Sequence, residues 1–183
     1  MKILGYFHGV DPAAALVIDG ELVAFAEEER LIRFKHANYI FPNRAIEHCL
    51  KSAGLRVTDL DCFALGWNLD HYSNGSMAGF YERLNTQYPP DEATRAWQRR
   101  NVGMFHVDVQ RKKLVSEIVR YFGVVPERVP PLRYFPHHES HAACAFYLSP
   151  FEEALVLTID GSGDQDTTTF EVSIAIRIHM PLV

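Results

Sequence analysis

Three of the nine histidines fall within five residues, in Pro136-His137-His138-Glu139-Ser140-His141-Ala142. On a helix, His137 and His141 lie one turn apart on the same face, so their imidazoles can converge on one metal ion while His138 points elsewhere. Imidazoles at this spacing suit Zn, Fe, Ni or Cu rather than Mg or Ca. The string is not the His-Glu-x-x-His of metalloproteases, because one residue separates Glu139 from His141. Taken alone, the pair reads either as a metal site or as histidines bonded at a surface. The Ala142, Ala143, Cys144 and Ala145 that follow let such a helix press closely on a neighbour.

A second concentration is Asp160-Gly161-Ser162-Gly163-Asp164-Gln165-Asp166, directly after the apolar Ala154–Ile159. A carboxylate at the carboxyl end of a strand, followed by glycines, places an acid and bare backbone amides where α/β sheets bind ligands. Gly161, Ser162 and Gly163 are then candidates for contact with phosphate. The same residues also fit a calcium loop, with Asp160, Ser162, Asp164, Asp166 and Glu171 at its ligating positions, although Gln165 stands where that loop needs glycine. A plain polar turn is the third reading. In Phe7-His8-Gly9-Val10-Asp11-Pro12, His8 and Asp11 could face a phosphate or transfer a proton, or be ordinary turn polars.

The elements that must carry these residues follow from pattern. Residues 2–8, 13–18 and 21–26 are short apolar runs, and Asp19-Gly20 between the last two is a strong hairpin signal. The chain therefore opens as a three-stranded meander. Asn43 is placed to cap a helix bearing Ile46, Cys49, Leu50 and Ala53 on one face, which Gly54 ends. Residues 61–67 read as a buried strand, 70–105 as loops with short helices around Pro89-Pro90, and 107–122 as a helix stopped by Gly123. A short extended piece at 132–135, a helix over about 138–148 and the strand 154–159 follow. Strands in a meander, then alternating with helices, predict an α/β fold with a mixed sheet and helices packed on it.

The 183 residues are 48% apolar and 22% charged, with 18 Lys and Arg against 23 Asp and Glu. These proportions exclude disordered and collagen-like classes, and the length suits one core rather than two complete domains. A net charge of −5 with no basic block argues against nucleic acid as a partner; Arg111-Lys112-Lys113 reads as a solvated helix face. Three widely spaced cysteines fit neither a disulfide framework nor a thiolate metal site and suit a reducing compartment. No apolar run reaches a membrane span and no signal-peptide core forms. The expectation is a soluble, cytoplasmic protein.

Read together, Phe7-His8-Gly9 with Asp11, Asp19-Gly20-Glu21-Leu22-Val23-Ala24, Glu27-Glu28-Glu29-Arg30, Lys35-His36, Phe41-Pro42, His137-His138 with His141-Ala142, Ser149-Pro150-Phe151 and Thr158-Ile159-Asp160-Gly161 resemble the N-terminal part of the nodulation-type and antibiotic-biosynthesis O-carbamoyltransferases. The likeness runs in order over 2–168. It implies an actin-like ATPase (ribonuclease H-like) lobe, similar to the threonylcarbamoyl-transferring tRNA-modification proteins. Residues 1–168 would be the first lobe and 169–183 an unassigned tail. The implied reaction joins carbamoyl phosphate to ATP as carbamoyl adenylate, then passes the carbamoyl group to a hydroxyl of a sugar or natural product.

The resemblance assigns His137, His141 and Asp160 to an Fe(II)-like divalent ion, His8 with Asp11 to the reacting centre, Gly161, Ser162 and Gly163 to phosphate, and Lys35 and His36 to anionic substrate. The small-molecule partners would be ATP, carbamoyl phosphate and a hydroxylated acceptor. The family's chains are several times longer, so this one is expected to be incomplete, a fragment or split subunit inactive without a second lobe. A phosphotransferase or ATPase of the same superfamily, and a non-catalytic lobe binding metal or a partner, are the competing expectations.

Overall fold

The start of the chain is organised by one turn. Asp19 and Gly20 both take positive φ (52° and 91°), the backbone that a two-residue hairpin needs, and they join β2 (Ala13–Ile18) to β3 (Glu21–Glu27). β1 (Lys2–Phe7) pairs antiparallel with β2, from Lys2↔Ile18 to Phe7↔Ala13. The other edge of β1 pairs parallel with β4 (Cys62–Leu65), which pairs parallel with β5 (Leu132–Tyr134). The computed structural model describes residues 1–174. Among them, five strands form one mixed sheet in the order β3-β2-β1-β4-β5, the sheet with an opening meander that the sequence predicts.

Period-two alternation buries Leu4 and Tyr6 of β1 and Ala14 and Leu16 of β2, and His8 continues the β1 series inward. Against these strands pack α1 (Glu28–Ile32), on β3, and α2 (Asn43–Ser52), on β2 and β3. α6 (Val107–Phe122) contributes Leu114 and Ile118 to the same core and ends at Gly123, whose left-handed N–H donates to the Val119 carbonyl. Asn43 differs from its expected role. It is the first helical residue, and its amide donates to Glu117. The N–H groups of Arg44 and Ala45, which have no partner within the helix, donate instead to the buried Glu28 carboxylate at 3.3 and 2.8 Å. A remote carboxylate thus does the work of a local cap.

The segment 70–105 is more regular than predicted: α3 (Leu69–Ser73), α4 (Ser76–Gln87) and α5 (Glu92–Met104) occupy most of it. Pro89-Pro90 merely separates α4 from α5, and Asp91 caps α5 by accepting from Thr94 N–H at 2.8 Å. The apolar stripe is diluted because the inward positions include polar pairs, Gln98 with Asn85 and Asn101 with Tyr81.

α7 (His137–Tyr147) follows β5 and packs on a separate hairpin of β6 (Glu153–Gly163) and β7 (Asp166–Ile174). β6 runs past Ile159, so Asp160 to Gly163 lie within an irregular stretch of strand and not in a loop after it. Residues 169–174 of the expected tail are part of β7, and 175–183 lie outside the described residues. The calcium-loop reading is not met, because the Asp160 carboxylate faces His137 and His141 whereas that of Asp164 accepts the backbone N–H groups of Asn68 and His137. Cys49, Cys62 and Cys144 are free thiols. Among the described residues no helix is long and apolar enough to cross a membrane.

Candidate metal centre

β1, β4 and β5 run parallel, so their carboxyl ends share one edge of the sheet, where α/β folds place ligands. Gly66 and Trp67 follow β4 there, and His137 follows β5 on the first turn of α7. The Trp67 ring lies against His137, with centroids 4.3 Å apart, and is backed by Phe105 at 4.6 Å. His137 Nδ1 stands 2.9 Å from the Gly66 carbonyl. A carbonyl only accepts, so Nδ1 carries the proton and a neutral His137 turns its Nε2 lone pair the other way.

That lone pair meets a carboxylate oxygen and a second imidazole nitrogen. Asp160 Oδ2 lies 2.9 Å from His137 Nε2, the His141 Nε2 atom lies 2.9 Å from the same nitrogen, and Asp160 Oδ2 lies 3.3 Å from His141 Nε2. Two imidazole nitrogens and a carboxylate oxygen facing one point need something shared between them, either the Nε2–H of a neutral His141 or a metal ion. The separations are those of neighbouring ligands around one ion with bonds of about 2.1 Å. The contact with His137 is the main reason the Asp160 carboxyl titrates below its ordinary value. The donor set therefore fits an Fe(II)-like or Zn-like ion. His137 is mostly buried, whereas His141 stays 53% exposed, so the outer side of such an ion would remain open.

Alternation along β6 delivers the carboxylate. Val156 and Thr158 are buried, Leu155, Leu157 and Ile159 are exposed, and Asp160 continues the inward set facing α7. His138, on another face of the helix, fixes the hairpin: its Nε2–H donates to the Asp166 carbonyl (3.1 Å) and its Nδ1 accepts from the Thr158 hydroxyl (2.5 Å). Gly163 is required by proximity, since a Cβ there would stand 2.2 Å from His137 Cδ2 and 3.0 Å from His138 Cδ2. Its bare face is thus covered by histidine rings instead of lying open to phosphate. Gly161 is exposed within the strand, and the Ser162 side chain lies outside the described residues.

Asp164 has a part that the sequence reading did not give it. Buried and left-handed at φ 55°, it accepts the backbone N–H of Asn68 at 3.0 Å and of His137 at 2.9 Å. One carboxylate thereby ties the hairpin tip to the end of β4 and to the start of α7. The only sequence signal was an Asp-rich, Gly-rich turn.

The remaining site candidates lie past β1. His8 is buried, with Nε2 at 2.8 Å from Gln110 Oε1 and Nδ1 at 3.1 Å from Lys113 Nζ. Desolvation lowers its pKa, and burial likewise lowers that of Lys113. Arg111 and Lys112 are exposed as expected, whereas Lys113 turns inward to His8. Asp11 Oδ1 lies 2.9 Å from His36 Nδ1, and Lys35 is exposed. Among the described residues no hydrogen bond joins His8, Asp11 or His36 to His137, His141 or Asp160.

A sequence profile for the carbamoyltransferase N-terminus matches residues 2–180. The chain is 36% identical over 159 residues to a protein of Sinorhizobium fredii (strain NBRC 101917 / NGR234) named nodulation protein NolNO, an alignment covering 84% of this chain and 20% of that protein. It is 34% identical over 177 residues to the uncharacterized protein sll1178 of Synechocystis sp. (strain ATCC 27184 / PCC 6803 / Kazusa), covering 92% of this chain and 26% of the other. Among solved structures, YeaZ from Pseudomonas aeruginosa aligns with a TM-score of 0.38 at 10% identity, over 100% of this chain and 71% of that one. The chain thus spans about a fifth to a quarter of the length of these two sequence relatives.

Proposed function

The chain belongs to the carbamoyltransferase family through its N-terminal domain, and on that premise we propose that it supplies the metal-bearing lobe of an O-carbamoyltransferase. The substrates would be carbamoyl phosphate, ATP and a hydroxylated sugar or natural product. The observation that carries this reading is the convergence of His137, His141 and Asp160 within 3.3 Å at the ligand-binding edge of the sheet. A phosphotransferase needs no such pair of histidines, and the glycines that would cradle phosphate lie in a strand, Gly163 beneath the His137 ring.

When bound, the ion would neutralise phosphate oxygens and polarise a carbonyl as a Lewis acid. The residues themselves orient and hold. Gly66 and Trp67 fix the His137 ring, Asp164 fixes the helix start, and His138 fixes the strand that bears Asp160. Lys35 offers an exposed ammonium to anionic substrate. His8, with both nitrogens engaged, holds the Lys113 ammonium at the end of β1. In the transfer step the acceptor oxygen bonds to the carbamoyl carbon, the bond from that carbon to the AMP oxygen breaks, and the acceptor proton leaves.

The test pairs this chain in trans with the downstream part of a NolNO-like protein and supplies all three substrates. Carbamoylated acceptor, AMP, pyrophosphate and the orthophosphate released from carbamoyl phosphate should appear together and should vanish in the double variant His137→Ala/His141→Ala. Turnover of ATP to ADP that ignores carbamoyl phosphate would overturn the proposal in favour of a phosphotransferase.

A further inference from the structure

We infer that the outer face of the β6–β7 hairpin is a docking surface for an apolar helix from the remainder of a carbamoyltransferase polypeptide. β6 includes Ala154-Leu155-Val156-Leu157-Thr158-Ile159, apolar at consecutive positions and not in alternation, the composition of a strand covered on both faces. The structure covers one. Val156 is buried with Ala142 and Phe146 of α7, and Thr158 is buried where it bonds His138. The other face carries Leu155, Leu157 and Ile159, 68%, 49% and 75% exposed, and register sets Phe170 of β7, 69% exposed, directly opposite Leu157.

Among the described residues β6 and β7 pair with each other and with no third strand, and a two-stranded ribbon stands alone poorly in water. A second copy of the chain fits the bare face badly. Over Glu153 to Ile159 two paired strands present a strip of roughly 10 by 23 Å, on the order of 200 Å², where a stable dimer needs about 800 Å² per partner. A segment of the same polypeptide has no such requirement, because linkage supplies its effective concentration. The chain spans about a fifth to a quarter of its two sequence relatives, so polypeptides of this family hold ample further sequence from which the cover can come. The element is a helix because α7 already covers the opposite face, and α/β sheets carry helices on both. Docking there would also hold the strand that delivers Asp160. The inference rests on the family membership and not on the proposed reaction, so the two can fail separately.

The test labels cysteines with maleimide in this chain alone and in the same chain joined to the downstream part of a NolNO-like protein. Both carry Cys144→Ser, so that the buried Cys49 and Cys62 stay silent. Leu157→Cys and Ile159→Cys should react freely in the chain alone and about tenfold or more slowly in the joined protein. Val125→Cys, at a position 54% exposed, should react alike in both. Amide exchange over 153–159 in the joined protein without added cysteines should slow in parallel, which guards against a substitution that disturbs the strand. Equal labelling and equal exchange in the two proteins would overturn the docking surface. Protection in the chain alone, with sedimentation at the mass of two copies, would overturn the helix in favour of self-association. Neither readout depends on carbamoyl transfer.

Discussion

His137 donates its Nδ1–H to the Gly66 carbonyl at 2.9 Å, and that single bond sets the chemistry of the centre. It fixes the tautomer, so the Nε2 lone pair is aimed at Asp160 and His141. A backbone carbonyl cannot be altered by substitution, but what holds the ring against it can.

Gly163→Ala should move His137. The new methyl would stand 2.2 Å from His137 Cδ2, so either ring or strand must shift, at a cost of about 1–3 kcal/mol. Ion affinity at the His137 centre should fall about tenfold or more, as when an orienting partner is lost. Gly161→Ala meets nothing within 4 Å and should leave both stability and affinity near those of the parent. Equal effects of the two substitutions, measured by thermal unfolding and metal titration, would show that the glycine is not there for the histidine.

Glu28→Ala should be markedly destabilising although Glu28 lies in an acidic run. Its buried carboxylate accepts from two N–H groups at the start of α2, and their loss leaves both donors without a partner, costing about 2–3 kcal/mol. Glu28→Gln keeps an acceptor and should cost roughly half as much. Glu27→Ala, at an exposed pair with Arg30, should change denaturant midpoints little.

Stability should fall on acidification because of His8. Burial depresses its folded pKa below 6.5, so as pH drops through about 6.5 the unfolded chain takes up a proton that the folded chain refuses. The loss from this residue should approach about 1.4 kcal/mol per pH unit until the depressed folded value is reached. Above pH 7 its contribution is complete and flat. Subtracting the curve of His8→Gln from that of the parent isolates the effect, and a parallel pair of curves would refute it.

Local pattern carried much of this structure. The meander, the helix 107–122 and the paired histidines one turn apart could be read because periodicity and turn residues act over a few positions. What could not be read is long-range. Nothing near Glu28 in sequence shows that it caps α2, and nothing near Lys113 shows that it meets His8. Asp164 reads as a turn residue, yet it ties three elements together. The helices at 69–104 were obscured for a different reason, since polar pairs such as Gln98 with Asn85 occupy inward positions and break the apolar stripe. Gly163 reads equally well as a phosphate contact or as a close approach, and only the His137 ring decides between them.

The most direct test of the central claim is an anaerobic Fe(II) titration of the 183-residue chain, followed through the ring signals of His137 and His141. Paramagnetic broadening of both rings should saturate together at one equivalent per chain for that centre. It should be weakened strongly by His141→Ala and by Asp160→Asn, and left unchanged by His48→Ala at an exposed position. Fe(II) that leaves both rings unbroadened, or that binds the parent and His137→Ala/His141→Ala with the same affinity and broadens the same residues in each, would contradict the account.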